Sequence, residues 1–311
     1  MIYSLTLNPA LDRELTVPRI RINEVLRAET VRVDCGGKGL NVSRALAALG
    51  QPSIAMGFIG GDTGSRLERE LAAAGVESDF VKVGGETRTN VCIVAADSGQ
   101  HIKVNEPGPT VTQPEQQALL ASLERRARAG DWWVVSGSLP AGADPRLYAR
   151  VIDVVRSAGG RVLLDTSEEA LQHGCAARPY LVKPNATEAA QLTGINVCNV
   201  TTAHAATMKL HQRGAEIAVI SLGKQGALLS APNGVWAASP PAVQARNANG
   251  AGDALLAGLV YSLSHGEEFP DALRMGVACG TAAAGLNGTA VPARSDVERL
   301  ASQVEVVSQS A

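Results

Sequence analysis

The stretch Asn247-Ala-Asn-Gly-Ala-Gly-Asp253, followed by Ala-Leu-Leu-Ala-Gly258, is the part of the chain around which the rest is organised. Glycine reaches backbone angles that other residues avoid, so Gly250-Ala251-Gly252 predicts a tight turn. The segment from Ala254 to Leu263 then predicts a helix with its leucines on one face. A glycine turn that leads into a helix directs free N–H groups and the positive end of the helix dipole at one spot.

Asp253 falls in the predicted first turn of that helix, beside the same spot. Backbone donors that hold an anion, next to a carboxylate that can accept a proton, form an arrangement used in phosphoryl transfer. An aspartate is also common in a first helical turn because it complements the dipole, and this stretch alone leaves both interpretations open. It is not a dinucleotide fingerprint, because its third glycine position holds Leu255, and no G-x-x-x-x-G-K-[ST] motif occurs in the chain.

Length and composition limit the classes of protein that need to be considered. The 311 residues can form one large α/β domain or two smaller ones, and 45% apolar with 19% charged residues is ordinary for a soluble globular protein. A formal net charge of −2 gives no reason to expect nucleic acid or a membrane surface as a partner. Aromatic residues make up only 3%, which argues against base-stacking platforms.

Cysteine usage and the first residues predict where the protein resides. The five cysteines are scattered and include no C-x-x-C, which favours reduced thiols over a disulfide framework or a zinc site. The chain starts directly with a strand-like segment, Ile2 to Leu7, without a basic and apolar leader. No apolar run approaches the length that spans a bilayer. We therefore expect a soluble, cytoplasmic protein.

A second glycine-rich helix start lies nearer the N-terminus, in Asp34-Cys-Gly-Gly-Lys-Gly-Leu-Asn41. Val42 to Leu49 has helical spacing of apolar residues, and Gly50 fits a C-cap. Lys38 together with free N–H groups suits a phosphate or a polyhydroxy ligand. A flexible connection with a solvated lysine is the alternative, but three close glycines are entropically costly in an ordinary loop. The pattern favours a binding role.

Other candidate residues have weaker local signals. Asp12 follows a strand that ends in a proline turn, which predicts a carboxylate at the carboxyl edge of a sheet or one that closes its own turn. Arg88, at the base of a predicted β appendage, could reach a bound anion, although a lone arginine is usually solvated. Asn185 and Glu188 are three residues apart at a helix start, and by pattern alone a capping box is the better interpretation.

From Thr112 onward, strands and helices alternate regularly, with predicted strands at 132–136, 161–165, 180–182 and 217–222. This alternation predicts an α/β fold with one doubly wound, mostly parallel sheet and helices on both faces. Leu15 to Val33 looks irregular, and the strands around 91–104 have no helix between them. We expect them to form a small antiparallel β-lid, contributed by about 12–33 and 86–106, on a single domain of residues 1–311.

Nine motifs, spread in order along the chain, resemble those of the PfkB branch of the ribokinase-like carbohydrate kinases. They are Leu5-Thr-Leu-Asn-Pro-Ala-Leu-Asp12, Gly36-Gly-Lys-Gly-Leu-Asn-Val-Ser-Arg44, Gly57-Phe-Ile-Gly-Gly61, Glu86-Thr-Arg88, Ser136-Gly-Ser-Leu-Pro-Ala-Gly142, Leu164-Asp165, Val182-Lys-Pro-Asn185 with Glu188, Ser221-Leu-Gly-Lys-Gln-Gly-Ala227 and Gly250-Ala-Gly-Asp253. The resemblance implies a ribokinase-like fold and ATP-dependent phosphorylation of a hexose phosphate. Fructose 1-phosphate is the first candidate; tagatose 6-phosphate and fructose 6-phosphate are the alternatives.

The resemblance also implies a role for each matching residue. Asp253 would be the general base, and the anion hole would comprise Gly250, Ala251 and Gly252. Sugar hydroxyls would be held by Asp12, Gly37 and Asn41, and the substrate phosphate by Lys38, Arg88, Ser138 and Arg27. The nucleotide would contact Lys183, Asn185, Ser221, Gly223 and Gly226, and Glu188 with Asn185 would organise Mg²⁺ through water.

Two further expectations come from the same resemblance. The lid would exclude water and pair with the lid of a second copy, giving a homodimer. The family usually has Thr-Val or Ser-Val before Gly-Ala-Gly-Asp, whereas this chain has Ala248-Asn249, a departure that bears on nucleotide or monovalent-cation contacts.

Rival functions remain to be separated. A non-catalytic sugar-phosphate sensor would need Lys38 and Arg88 but not Asp253 or Glu188, so the presence of all four argues against a sensor. A ribose or adenosine kinase would not need Lys38 and Arg88 together.

Overall fold

The computed structural model describes residues 1–243 and 249–309, which contain fourteen strands and ten α-helices. The strands are β1 Ile2–Thr6, β2 Ala10–Val17, β3 Thr30–Gly36, β4 Ile54–Ile59, β5 Glu77–Lys82, β6 Arg88–Ala95, β7 His101–Asn105, β8 Trp132–Ser136, β9 Arg161–Asp165, β10 Leu181–Val182, β11 Ile217–Ser221, β12 Ala227–Ala231, β13 Gly234–Ser239 and β14 Glu305–Ser308. The helices are α1 Lys38–Ala48, α2 Gly61–Ala73, α3 Gln113–Arg126, α4 Leu147–Ser157, α5 Glu168–Ala176, α6 Ala186–Thr193, α7 Val200–Gln212, α8 Ala251–Ser264, α9 Phe269–Ala284 and α10 Arg294–Ala301.

The large sheet has ten strands in the order β14-β13-β12-β11-β10-β9-β8-β1-β4-β5. All pairs from β11 to β5 are parallel, and β12, β13 and β14 extend the sheet as antiparallel strands. The predicted doubly wound, mostly parallel sheet is therefore confirmed. Strands β5, β13 and β14 were not predicted. Their residues are mostly exposed or half-buried, so they lack the continuous apolar run of a central strand.

Helices cover both faces of this sheet, as the alternation of buried side chains along each strand requires. In β8, Trp133 and Val135 pack with helices α3 to α7, whereas Trp132 and Val134 pack with α1, α8, α9 and α10. Successive side chains of a strand point to opposite faces, so one strand contributes to both cores. A smaller cluster packs α2 beside α1.

Small residues let α8 lie close to α9. A Cβ added at Gly258 would lie 2.7 Å from the carbonyl oxygen of Met275 and 2.8 Å from the Cα of Gly276. Any larger side chain there would push the two helices apart. This packing holds the N-terminus of α8 at the carboxyl edge of the parallel strands.

A second sheet of four strands, ordered β3-β2-β6-β7, forms the lid. The segment from Leu15 to Val33, which looks irregular in the sequence, includes the end of β2 and most of β3, and these two strands pair over seven residue pairs from Ala10↔Gly36 to Thr16↔Thr30. The prediction of an antiparallel lid was wrong in one respect, since β2 and β6 run parallel. Its strands span 10–17, 30–36 and 88–105, which places Asp12 on a lid strand and not at the edge of the large sheet.

Two glycine-rich segments also differ from expectation. Asp34 to Gly36 belong to β3, so only Gly37 separates that strand from α1. Helix α8 begins at Ala251, so of the predicted turn residues only Gly250 lies outside the helix. Within 1–243 and 249–309, no helix is long and apolar enough to cross a membrane.

Candidate active site

A cavity of about 430 Å³ lies between the lid and the carboxyl ends of the parallel strands. Its walls include residues of both sheets, of α1 and of the α8 N-terminus. The predicted site residues that line it are Asp12, Gly37, Lys38, Asn41, Arg88, Ser138, Glu188, Gly250 and Asp253. Two glycine-rich helix starts that are distant in the sequence, at Lys38 and at Ala251, therefore meet at one cavity.

The N-terminus of α8 borders this cavity at Gly250 and Asp253. Gly250 has a φ of 74°, which glycine adopts without strain, and its carbonyl accepts the first helical bond, from the N–H of Ala254 at 2.8 Å. The N–H groups of Ala251, Gly252 and Asp253 precede that bond and have no partner within the helix. A Cβ on Gly252 would lie 3.5 Å from Lys183 Nζ, so an ammonium group stands beside these donors. The combination is suited to an anion.

The carboxylate of Asp253 is buried, with 7% of the residue exposed. Asn41 Nδ2 donates a hydrogen bond of 2.8 Å to its Oδ2. Burial, followed by the nearby charge of Asp165, raises the Asp253 pKa to about 6, against the opposing effects of Asn41, Lys38 and Lys183. A carboxylate with a pKa closer to neutrality is a better general base than one in water. Asp253 therefore has an environment that suits a general base.

A buried ion-pair network surrounds this carboxylate. Asp165 is 1% exposed; its Oδ1 accepts from Lys38 Nζ at 2.9 Å, and its Oδ2 lies 2.9 Å from Lys183 Nζ. Burial alone would raise the Asp165 pKa, but the two lysines outweigh it and hold that pKa below its ordinary value. Burial likewise opposes the charge of Lys38, yet Asp165 and then Glu188, at 3.9 Å, raise its pKa.

This arrangement bears on the predicted role of Lys38. The resemblance implies that Lys38 holds the substrate phosphate, and in the structure its ammonium contacts Asp165 and Glu188. For Asp165, which lies in one of the nine motifs, the resemblance implies no role. Its place at the end of strand β9 is the signal that could have identified it, because ligands of open α/β sheets bind at that edge.

The opposite side of the cavity holds a guanidinium that forms no ion pair among the described residues. Arg88 Nη2 donates to the carbonyl of Asn8 at 3.0 Å and Nη1 to that of Glu106 at 3.1 Å, while its Nε is buried without a partner in the described chain. Burial lowers the Arg88 pKa, and Asp12 and Glu106 oppose that effect. Asn8 Nδ2 lies 3.5 Å from Ser138 Oγ, which brings the two predicted phosphate contacts near one another.

Asp12 lies on β2 beside Asn90 of β6, whose Nδ2 donates to Asp12 Oδ1 at 2.8 Å. Burial raises the Asp12 pKa, and the bond from Asn90 opposes the rise. Asn8 and Asn90 were not predicted as site residues. For Asn90 the signal was available, because it stands two residues after Arg88 on a strand and therefore on the same face.

Asn185 and Glu188 form the capping box that their spacing predicts. Asn185 Oδ1 accepts from the N–H of Glu188, and Glu188 Oε2 accepts from the N–H of Asn185, each at 2.9 Å. Glu188 also lines the cavity, where its Oε1 faces Lys38. In the described residues, no group of three His, Cys, Asp or Glu side chains is placed to cage a metal. A carboxylate with one oxygen toward the cavity does suit Mg²⁺, which keeps several waters and shares substrate phosphates.

The remaining predicted contacts lie outside the cavity walls. Ser221, at the end of β11, forms an isolated parallel β-bridge with Asn185. Gly223 and Gly226, with φ values of 58° and 90°, begin and end the turn that follows. Arg27 is exposed on the lid loop and is not among the residues lining the cavity. Asn247 and Ala248 are outside the described residues. Asn249, just before the turn, accepts a hydrogen bond from Lys103 of the lid.

Several known proteins align with this chain over most of their own length and most of the length of this chain. Relatives include 1-phosphofructokinase of Vibrio cholerae, 34% identical over 98% of this chain and 96% of that protein, and ATP-dependent 6-phosphofructokinase isozyme 2 of Mycobacterium tuberculosis, 36% identical over 96% of this chain and 88% of that protein. Among solved structures, phosphofructokinase-2 from Escherichia coli in complex with potassium has a TM-score of 0.92 at 31% identity, covering 97% of this chain and 98% of that chain.

Arabidopsis thaliana ribokinase, complexed with ribose and ATP, shares the fold with a TM-score of 0.77 at 22% identity, over 96% of this chain and 98% of its own. The sequence pattern of the pfkB family carbohydrate kinases matches residues 5–296. With that pattern across the chain and the two glycine-rich helix starts facing one cavity, the chain belongs to the pfkB family of carbohydrate kinases.

Proposed function

We propose that this protein transfers the γ-phosphoryl group of ATP to a hexose phosphate, with fructose 1-phosphate as acceptor and fructose 1,6-bisphosphate as product. The proposal rests on one observation: the same cavity has a site suited to phosphoryl transfer on one wall and a cation suited to a phosphate on the other. One wall offers a buried carboxylate beside a helix N-terminus, and the other offers Arg88, a desolvated cation without an ion-pair partner among the described residues. The first suits the reacting phosphoryl group and the second a phosphate that is already on the substrate.

The acceptor hydroxyl transfers its proton to Asp253 as its oxygen attacks the γ-phosphorus of ATP, and the bond from that phosphorus to the β,γ-bridging oxygen breaks, so that ADP leaves. Asn41 holds one carboxylate oxygen, Oδ2, through its amide, which restrains the rotation of the base. With a pKa of about 6, Asp253 is mostly ionised at neutral pH and can still hold the proton it receives.

Negative charge on the transferring group is stabilised by groups that are already in place. The N–H groups of Ala251, Gly252 and Asp253 have no partner within the helix at the start of α8, and Lys183 lies beside Gly252. Because Lys183 is anchored on buried Asp165, its ammonium needs no reorganisation when charge develops. Lys38, on the other oxygen of Asp165, adds a second cation on this side of the cavity.

The ATP phosphates would enter along the edge formed by Lys183, Asn185 and Ser221, which adjoins the α8 N-terminus. Mg²⁺ bound with the nucleotide would neutralise part of its phosphate charge, and Glu188, through water, is the residue suited to hold it. The ATP-binding edge and the Mg²⁺ role of Glu188 are both carried over from the sequence resemblance. Two contacts support the role of Glu188: its Oε1 faces Lys38 in the cavity, and the capping box uses only its other oxygen.

Tagatose 6-phosphate and fructose 6-phosphate are the competing acceptors. Relatives of both the 1-phosphofructokinase and the 6-phosphofructokinase kind match this chain at similar identity. A non-catalytic sensor is disfavoured, because a sensor has no need for a buried base whose pKa is raised towards neutrality.

A coupled assay of ADP release tests the proposal. Fructose 1-phosphate, tagatose 6-phosphate, fructose 6-phosphate, fructose, ribose and adenosine are compared at equal concentration, with a sugar-free control for ATP hydrolysis. We expect the highest kcat/KM on fructose 1-phosphate. Turnover of ribose or adenosine without turnover of any hexose phosphate would refute the proposal.

We further infer that two copies pair through their lids. Val31, Ile102 and Val104 are 53%, 44% and 58% exposed, and they alternate with Arg32, Lys103 and Asn105, which line the cavity. The outer face of the lid is therefore apolar and uncovered, which favours association. Sedimentation of the protein and of Val104→Glu tests this inference, with a dimer expected for the first and a monomer for the second. The five free thiols fit a reducing compartment, and we place the enzyme in the cytoplasm.

A further inference from the structure

Asn90 and Asp12 lie side by side on two adjacent strands of the lid. Its Nδ2 donates to Asp12 Oδ1 at 2.8 Å, and the two residues are direct partners in the parallel pairing of β2 with β6. Gly36, on the other neighbouring strand, completes the enclosure of Asp12. A Cβ added at Gly36 would lie 2.4 Å from Asp12 Cγ, so only a glycine leaves room for the carboxylate in this orientation.

The orientation of the Asn90 side-chain amide leaves its oxygen without a hydrogen bond in the described part of the chain, which costs free energy. Asn90 Oδ1 is buried and has no hydrogen-bond partner among the described residues. A buried acceptor without a partner costs free energy, so the geometry needs an explanation. Turning the amide over would direct its oxygen at Asp12 Oδ1, where two acceptors would repel each other. Donation to Asp12 therefore determines the orientation.

The consequence is that the two oxygens of Asp12 are no longer equivalent. Oδ1 is occupied by Asn90, and in the described chain no side chain or backbone group donates to Oδ2. The carboxylate is held from Gly36 on one side and Asn90 on the other, while Asp12 lines the cavity. A fixed carboxylate with one free oxygen can accept hydrogen bonds from sugar hydroxyls in a defined geometry.

We propose that Asn90 is a positioning residue for substrate recognition: its amide holds Asp12 so that one carboxylate oxygen meets a hydroxyl of the sugar phosphate. This inference rests on the proposed function, since it concerns the same cavity and the same acceptor. It assigns to Asn90 no contact with the reacting atoms. Its effect should therefore fall on the KM for the sugar and not on kcat or on the KM for ATP.

The test removes the donor in two ways. Asn90→Leu has a similar size without hydrogen-bonding groups, and Asn90→Asp keeps the shape but replaces the donor with a second acid. Thr89→Val is the matched control, because Thr89 is the adjacent residue of β6 and points to the opposite face of the lid. Circular dichroism and the KM for ATP, measured on each variant, establish that the fold is retained.

A double-mutant cycle with Asp12→Ala separates positioning from general loosening of the lid. With the wild-type Asp12, Asn90→Leu should lower kcat/KM for fructose 1-phosphate roughly tenfold, through KM. In the Asp12→Ala background the same substitution should change kcat/KM by less than about twofold, because the group on which it acts is gone. Equal losses in both backgrounds, or no loss in either, would overturn the inference.

The Asn90→Asp variant supplies a pH readout that a purely structural role would not move. Asp12 is faced by Arg88 and residue 90 on β6, by Asp34 on β3 and by Lys103 on β7. Two adjacent carboxyl groups resist double ionisation. The ratio of kcat/KM in Asn90→Asp to that in wild type should therefore rise as pH falls from 8 to 6. A ratio independent of pH would count against the inference.

Failure of the inference can be told apart from failure of the proposed function. The latter is judged on the wild-type enzyme alone, by its turnover of hexose phosphates, before any variant is compared. If the wild-type enzyme turns over none of the hexose phosphates, both the proposed function and the role of Asn90 are refuted. An active wild type with an unaffected Asn90→Leu variant removes only the role of Asn90.

Discussion

The charged residues around Asp253 on the core wall and the pair Arg88 and Asp12 on the lid wall hold their charges in different ways. On the core wall, Asp165 engages Lys38 and Lys183, and Asp253 is bonded by Asn41, so every charged group has a partner. On the lid wall, Arg88 is held by two backbone carbonyls and Asp12 by one amide, and no ion pair joins them to another residue described.

This difference follows from what each wall has to do. A buried charge is tolerated when it is paired and hydrogen-bonded, and pairing also keeps it fixed while a reaction proceeds. A binding group needs the opposite property, because a cation already neutralised by a carboxylate would gain little from a phosphate. Neutral partners orient Arg88 and Asp12 and leave their charge available. Under the proposed function, the core wall serves the chemistry and the lid wall the recognition of the substrate.

The largest expected effect comes from the core wall. Asp253→Asn should lower kcat by roughly 10²- to 10⁴-fold, the usual share of a general base, because the amide cannot take the hydroxyl proton. The variant should fold and bind ATP normally, since Asn can still accept the hydrogen bond from Asn41. Single-turnover measurements check the chemical step, and a variant with more than a tenth of wild-type turnover would mean that Asp253 is not the base.

On the lid wall, Arg88→Ala should lower kcat/KM for the phosphorylated sugar by roughly 10- to 150-fold, the equivalent of about 1.5–3 kcal/mol for one charged contact. The KM for ATP should hardly change, and activity on the plain sugar, where measurable, should stay the same. Arg69→Ala, on the exposed face of α2, is the control. If both sugars lose activity equally, Arg88 supports the lid and does not bind phosphate.

Glu188 has two roles that a substitution can separate, the capping of α6 and the proposed binding of Mg²⁺ through water. Glu188→Gln keeps an oxygen that can cap α6, so the melting temperature should change little. The Mg²⁺ concentration for half-maximal rate should rise by roughly 10- to 100-fold, as is typical when a residue that orients metal-bound water is altered. A Mg²⁺ titration checks this. An unchanged midpoint would leave Glu188 with the cap alone.

The smallest effect concerns pH. The base must be ionised, and burial raises the Asp253 pKa to about 6, so kcat should rise with pH through about 6 and be roughly tenfold lower at pH 5 than at pH 8. The stability effect has the opposite sign. A carboxyl group with a raised pKa favours the folded state below its unfolded pKa, and that contribution is lost as pH rises through 6.

Thermal unfolding provides the check on this sign. Replacing Asp253 by Asn should raise the melting temperature relative to wild type more at pH 8 than at pH 4, because only at the higher pH does the wild type bury a charge there. A difference in melting temperature that is the same at both values would indicate that Asp253 titrates normally.

Much of this protein could be predicted from the sequence, because local rules govern those features. The alternation of apolar runs and helical patterns predicts the parallel sheet with its two helical layers, since burial on both faces requires it. Glycines before α1 and α8 identify the two helix starts, because few other residues allow a close approach of backbone to a ligand. Asp253, Asn41 and Arg88 are recognisable because each lies in a motif that extends over several residues.

The tertiary structure decided what distant residues do to each other. That Lys38 turns to Asp165 depends on a contact across 127 positions of sequence, and no local pattern indicates which of two anions a lysine will meet. The bounds of the lid strands β2 and β3 were not predicted, because exposed, charged residues obscure their alternation. The bond from Asn90 to Asp12 needs the register of two parallel strands, which pairing alone sets. Sequence therefore determined which chemical groups are available, and the fold determined their partners.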